Sequence, residues 1–222
     1  MILLFSGGLD SFVAWHFLNN PPTLYVGLGH RYMVHEIEMV KKLIPATIME
    51  TNMLNLGAWE KKDANIPLRN AFLVMIASYY DKDVALIVQQ GEMEIPDRSV
   101  HFFNEFSRIL TFLWGEPATV FTPFFSMTKT EMVRWYLDKG LDPGTLISTR
   151  SCFSPGDNPC GNCAACFRRW VAFTNCGLEE EYEQPIINYN GIKIYVDKMQ
   201  RGLYDEKRTD ETLMALKKAG IL

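Results

Sequence analysis

The chain has no apolar run approaching the roughly 20 residues needed to cross a bilayer. Its first residues also lack the basic stretch that precedes the apolar core of a signal peptide. Both absences predict a cytoplasmic protein with no membrane partner. Positive charge is not in excess either: 22 lysines and arginines face 26 aspartates and glutamates, a net charge of −4. That balance argues against direct nucleic-acid binding by the whole molecule, while leaving room for local basic patches. Cysteines are few, five in all, but four fall within fifteen residues. In a cytosolic chain such grouping favours a metal site over a disulfide framework. The remaining composition, 48% hydrophobic and 22% charged over 222 residues, suits one α/β domain with a small appendage.

The most informative stretch is the start. Ile2 to Phe5 reads as a short buried strand. Ser6-Gly7-Gly8 is then a turn whose missing Cβ atoms let a ligand approach the backbone. Asp10 and Ser11 are favourable helix N-cap residues, and the apolar run after them continues as a helix. Strand, glycine turn and helix N-terminus aim backbone N–H groups at one point, an anion site. No lysine follows the turn, so the G-x-x-x-x-G-K-[ST] phosphate loop is absent.

Further strands are predicted at Leu24 to Leu28, Ala46 to Met49, Val84 to Val88 and Ala118 to Phe121. Helices are predicted at His35 to Leu43 and, after Pro67-Leu-Arg69-Asn70, at Ala71 to Tyr80. This alternation predicts an α/β fold with a mostly parallel, doubly wound, Rossmann-like sheet. Glu50 to Asn65 is polar and aperiodic, a candidate lid. Gln89 to Arg98 follows a central strand, on the side of the sheet where ligands bind. Phe102, Phe103, Phe106, Ile109, Leu110 and Leu113 recur at helical spacing and read as core. Thr128 to Glu131 fits a capping box, for a helix running to Lys139 and stopping at Gly140. Lys129 in its first turn opposes the helix dipole; it either serves a phosphate or is solvated.

Cys152, Cys160, Cys163 and Cys166 supply a closed tetrahedral shell for structural Zn²⁺, their two-residue gaps bending neighbours onto one ion. An iron–sulfur cluster would also accept four cysteines, and a redox pair is the weaker reading. Cys176 stands apart as a buried thiol. Arg168 and Arg169 pair with acids, face a substrate or, by default, lie on a solvated face.

Ser6-Gly-Gly-Leu9-Asp10-Ser11 resembles the S-G-G-x-D-S loop of the N-type ATP pyrophosphatases, whose sheet is of the adenine nucleotide alpha hydrolase-like kind. Taken with Pro67-Leu-Arg69-Asn70, Pro96-Asp97, Phe102-Phe103, Thr128-Lys129, Ser151-Cys152, Cys160-Gly-x-Cys-x-x-Cys166 and Arg168, the chain resembles the 7-cyano-7-deazaguanine synthases of that superfamily. The resemblance spans Met1 to about Pro185. It implies conversion of 7-carboxy-7-deazaguanine and ammonia, with ATP and Mg²⁺, into the nitrile through an acyl-adenylate. ATP would be held by Phe5, Ser6, Gly7, Gly8, Leu9, Asp10 and Ser11, with Asp10, Ser11 and Lys129 in catalysis. The deazaguanine would meet Arg69, Asn70, Glu94 and Asp97, the last two offering a carboxylate to a guanine-like edge. The family's Tyr-Pro-Asp-Cys-Arg stretch is Ile95-Pro-Asp-Arg-Ser99 here, which opens a second reading: an enzyme that stops at the amide or joins the acid to another amine. A reading of another class is a non-catalytic zinc module that contacts nucleic acid.

Three regions are expected: an ATP-binding domain over 1–146, a four-cysteine segment with its helix over 147–177, and a helical extension over 178–222. In the extension, Asp210 to Ala219 reads as an amphipathic helix that could dock on the body or on a second copy in a homodimer.

Overall fold

Every residue of the first strand is apolar, and its two faces go to different partners. In the computed structural model, which describes residues 1–93, 95–156 and 158–221, this strand is β1 (Ile2–Leu4). Four more follow: β2 (Thr23–Val26), β3 (Ile48–Glu50), β4 (Asp83–Ala85) and β5 (Thr119–Phe121). All pair in parallel, in the order β3-β2-β1-β4-β5. Such a sheet must be covered on both sides.

Leu3 and Phe5 face one cluster, with helices α1 (Leu9–Phe17), α2 (Met33–Leu43), α5 (Lys129–Asp138), α6 (Pro143–Ser148) and α7 (Ala164–Cys176) contributing to it. Ile2 and Leu4 face the other, built with α3 (Arg69–Ala77) and α4 (Val100–Trp114). A third cluster joins Cys152, Cys166, Phe167 and Val171 to Ile186, Ala215 and Leu216. The last two lie on α9 (Glu206–Lys218), which follows α8 (Ile192–Gln200). The chain after residue 185 thus packs on the cysteine segment and its helix.

Several expectations shift. Helix α1 begins at Leu9 with Gly8 as a backbone-only N-cap, so Asp10 and Ser11 fall inside its first turn. Ser11 is diverted because its Oγ accepts from the Ser6 amide at 3.3 Å and donates to the Gly8 carbonyl at 3.1 Å. Strand pairing of β4 ends early, yet its apolar run stays extended, with the Leu86 amide on the Phe121 carbonyl and the Gln90 amide on the Met127 carbonyl. Helix α3 ends at Ala77 and leaves Tyr79 and Tyr80 exposed. On α4, Phe103 and Leu110 are core, but Ile109 and Leu113 are exposed, so that stripe is only half buried. The candidate lid is pinned where the Leu56 and Gly57 amides donate to the Leu28 carbonyl. Helices α6 and α8 were not expected, and α9 starts at Glu206, capped by Asp205. The capping box of α5 is present in full: Thr128 Oγ1 accepts from the Glu131 amide, and Glu131 Oε2 accepts from the Thr128 amide at 2.8 Å.

Candidate functional site

Strand β1 is the point where the sheet's winding reverses, with β2 on one side and β4 on the other. The crevice beyond the carboxyl end of such a strand is where open α/β sheets bind ligands. The glycine turn lies there. Gly7 has φ +72°, and a Cβ on it would come within 3.0 Å of Met39 on α2. A side chain is therefore excluded both by conformation and by space. Among the described residues, the Gly7 and Gly8 amides have no hydrogen-bond partner, and Gly7 is buried. Two free amides beside the positive end of α1 make a nest for an anion. Ser6 and Ser11 hydroxyls stand 3.5 Å apart at its edge. Phe5 and Leu9, by contrast, are 2% and 0% exposed. Their side chains belong to the core, so only their backbone can touch a ligand.

Asp10, in the first turn of α1, forms an ion pair with Lys129 at the start of α5. Lys129 is thus not a solvated residue: its side chain is 11% exposed. Burial pushes its ammonium below the usual lysine range, against the opposing pull of Asp10 and Glu92. Glu92 lies just past the end of the β4 run and pairs with Arg98 at 3.3 Å. Burial would raise its carboxyl, but Arg98, Arg168, Lys129 and Arg208 overcome that and hold it below the usual range. Glu92 was not singled out from sequence, and Arg98 only as part of the altered stretch Ile95 to Ser99. The usable signal was position: both follow a central strand on the glycine-turn side.

The four substrate candidates do not form one group. Asn70 is buried, and its Nδ2 donates to the Asp97 carbonyl at 3.1 Å, tying the start of α3 to the turn Pro96–Arg98. The Asp97 carboxylate is half-buried and has no hydrogen bond among the described residues. Burial and Glu36 push the Tyr32 hydroxyl up to about 12, and the charge of Arg69 opposes them. Glu94 lies outside the described residues.

The sulfur atoms of Cys152, Cys160, Cys163 and Cys166 all lie within 4.8 Å of one another. Tetrahedral Zn–S bonds of about 2.3 Å place sulfurs roughly 3.8 Å apart, so modest contraction closes the shell. Backbone amides already point at the sulfurs: Ser154 and Cys160 donate to Cys152 Sγ at 3.3 Å, Asn162 to Cys160 Sγ at 3.3 Å and Cys166 to Cys163 Sγ at 3.4 Å. Such donors stabilise thiolates, the form that binds metal. The cluster can hold a metal ion. Cys176 stays apart and is half-buried, its thiol donating to the Thr130 carbonyl at 3.6 Å.

From the last cysteine, α7 carries two adjacent arginines to different tasks. Arg169 is 2% exposed and pairs with Glu180 at 2.9 Å, while donating to Thr149 Oγ1 and to the Leu146 and Ile147 carbonyls. It holds α6 and the 178–184 segment to α7. Arg168 faces the crevice, where Tyr195 OH takes one of its donors at 3.2 Å. The solvated face is therefore wrong for both.

A family model described as "Queuosine biosynthesis protein QueC" matches residues 28–177. Among curated proteins, a 7-cyano-7-deazaguanine synthase from Archaeoglobus fulgidus is 26% identical over 90% of this chain and 96% of its own length. One from Alteromonas mediterranea is 24% identical over 82% and 98% respectively. One from Persephonella marina is 31% identical over 53% of this chain and 55% of its own length. No helix among the described residues is long and apolar enough to cross a membrane.

Proposed function

The chain belongs to the QueC family of queuosine biosynthesis proteins, and on that premise we propose that it converts 7-carboxy-7-deazaguanine and ammonia to 7-cyano-7-deazaguanine at the expense of ATP. The observation that carries the reading is the Asp10–Lys129 pair beside the free amides of the glycine turn. It sets a cation, a carboxylate and an anion nest at the switch point of the sheet.

In this reading the nest receives phosphate oxygens of ATP, and Lys129 neutralises charge as it passes to the leaving pyrophosphate. The substrate carboxylate attacks the α-phosphorus, and pyrophosphate leaves. Ammonia then displaces AMP to give the amide. The amide oxygen attacks the α-phosphorus of a second ATP and pyrophosphate leaves; loss of AMP with both protons of the nitrogen then gives the nitrile. Asp10 would hold Mg²⁺, which supplies charge neutralisation at the phosphates. The four cysteines would hold Zn²⁺ in a closed shell whose part is structural. Asp97 would accept hydrogen bonds from the amino edge of the deazaguanine.

The Arg98–Glu92 pair favours a second reading. Arg98 stands where the family has a cysteine, and its ion pair with Glu92 fills the space beside the base-reading turn with charge. Such a pocket suits an enzyme that stops at the amide or transfers the activated acid to another amine. Incubation with the acid, ATP, Mg²⁺ and ammonia, with pyrophosphate release and product mass followed together, tests both. The nitrile supports the first reading and the amide the second. No pyrophosphate release sinks both.

A further inference from the structure

A pocket opens beside the Asp10–Lys129 pair, and its far wall comes from the end of the chain. It is lined by Gln89, Lys129, Arg168, Tyr204, Arg208 and Thr212, with further apolar contacts from α7. Arg208 on α9 stacks over the Tyr204 ring at 4.5 Å and donates to the Gly91 carbonyl. Gly91, with φ +79°, has no Cβ, and one placed there would strike the Arg208 side chain. Thr212 Oγ1 donates to the Arg208 carbonyl at 2.7 Å. The tail is held down on both flanks: Gln90 Nε2 donates to Asp205 at 3.1 Å, and Thr128 Oγ1 to Glu211 at 2.5 Å. At the rim Lys207 pairs with Glu131 at 3.1 Å.

The charges in this pocket do not balance. Four cations, Lys129, Arg98, Arg168 and Arg208, surround two carboxylates: Asp10 pairs with Lys129 and Glu92 with Arg98, and Glu92 draws on Arg168 and Arg208 only at longer range. Among the described residues, Arg168 and Arg208 have no ion-pair partner; their hydrogen bonds go to a phenol and a carbonyl. Both are half-buried. Holding two guanidinium groups close together and partly out of water is costly unless an anion joins them. Gln89, 3% exposed, also presents a side-chain oxygen with no partner. A ligand that fits has an oxyanion for the two arginines and a hydrogen-bond donor for Gln89.

We propose that this pocket is an oxyanion-binding subsite whose two guanidinium arms are Arg168 from the cysteine helix and Arg208 from the C-terminal tail. The inference rests on the proposed function, since the oxyanion is then a phosphate of the nucleotide or the carboxylate of the acid substrate. Either would be gripped by paired charge-assisted hydrogen bonds. The tail becomes part of the binding site.

The test titrates inorganic pyrophosphate and, separately, 7-carboxy-7-deazaguanine into the full chain by calorimetry. Arg208→Gln should weaken one of the two ligands by about tenfold to a hundredfold, the size of a lost hydrogen bond to a charged group. Arg208→Lys should restore part of the loss. Lys207→Gln, which removes only a rim ion pair of the same helix, should leave both affinities at the wild-type level. Tyr195→Phe removes only the hydroxyl that holds Arg168, so it should weaken the same ligand even where Arg208→Gln folds poorly. Loss confined to pyrophosphate assigns a phosphate to the subsite; loss confined to the acid assigns its carboxylate. Wild-type affinity for both ligands in Arg208→Gln and Tyr195→Phe overturns the inference. If Lys129→Gln alone loses pyrophosphate binding, the proposed function survives and the tail's role does not. A wild-type chain that binds neither ligand overturns both.

Discussion

Lys129 reaches across 119 positions of sequence to pair with Asp10, joining the first turns of α1 and α5 at the glycine turn. Neither residue is needed by the core, so their loss should separate chemistry from folding. Asp10→Ala is expected to lower pyrophosphate release on the order of 10²-fold or more, the scale of losing one preorganised electrostatic contact. Its thermal transition should stay near that of the wild type. Release at the wild-type rate would place the nucleotide elsewhere.

Metal analysis of the purified chain should find close to one equivalent of zinc. Cys160→Ser removes one thiolate from a cluster whose other three converge on the same point. That variant should lose both the metal and much of its cooperative unfolding, because metal binding free energy becomes folding free energy in such sites. A visible charge-transfer band with iron would replace zinc by a cluster.

Arg169→Ala should be strongly destabilising. It leaves Glu180, which is 6% exposed, with only the Tyr182 hydroxyl as donor among the described residues, and takes the donor from Thr149 Oγ1 and the Ile147 carbonyl. Breaking a buried pair in this way costs about 3–5 kcal/mol. Urea unfolding would measure it, and a change below about 1 kcal/mol, the scale of exposed pairs, would mean that the guanidinium is not needed there.

Glu92 links stability to acid. Its folded carboxyl is held below the usual value of 4.5, so the unfolded chain binds the proton more readily. The stabilisation it contributes is fully present above pH 4.5 and is lost as pH falls through the lower folded value. Glu92→Gln should flatten the stability profile in that window and leave the region above it parallel to wild type. A profile that keeps its full acid slope would assign the proton uptake to other carboxylates.

Asp97→Asn tests the base-reading turn. The turn's anchor is the Asp97 carbonyl, on Asn70, so the side chain can change without loosening it. kcat/KM for the deazaguanine acid should fall by up to roughly 10⁴, since an amide donor would then face donors. ATP affinity should move no more than a few-fold. An unchanged acid affinity shifts the base pocket toward Arg69.

The sheet was legible because its central strand is apolar throughout, as Ile2 to Phe5 shows, and its neighbours are mostly so, since burial on both faces requires it. The cysteine cluster was legible because its ligands are close in sequence. Helix ends were less so: Asp10 and Ser11 have cap chemistry, but Ser11 is consumed by the turn itself. Arg168 and Arg169 show the limit most plainly. Adjacent on one helix, they read as solvated, yet α7 is covered by α5 on one side and by α9 on the other. Packing from α5, the contacts of Arg169 with α6 and Glu180, and the return of the tail as α9 together turn that helix into an interior element. Local pattern carries no information about such a return.

The cysteine cluster and the crevice share one helix, for Cys166 and Arg168 are two residues apart on α7. Phe167 between them packs against Tyr189 and Tyr195 of the tail. An ion that fixes the start of α7 therefore also fixes where the guanidinium points. Occupancy of the proposed metal site and of the proposed oxyanion site would then be thermodynamically coupled, and coupling of this kind is reciprocal. A chelator would then behave as a remote inhibitor of ligand binding, and saturating ligand would tighten the hold on the ion by the same free energy.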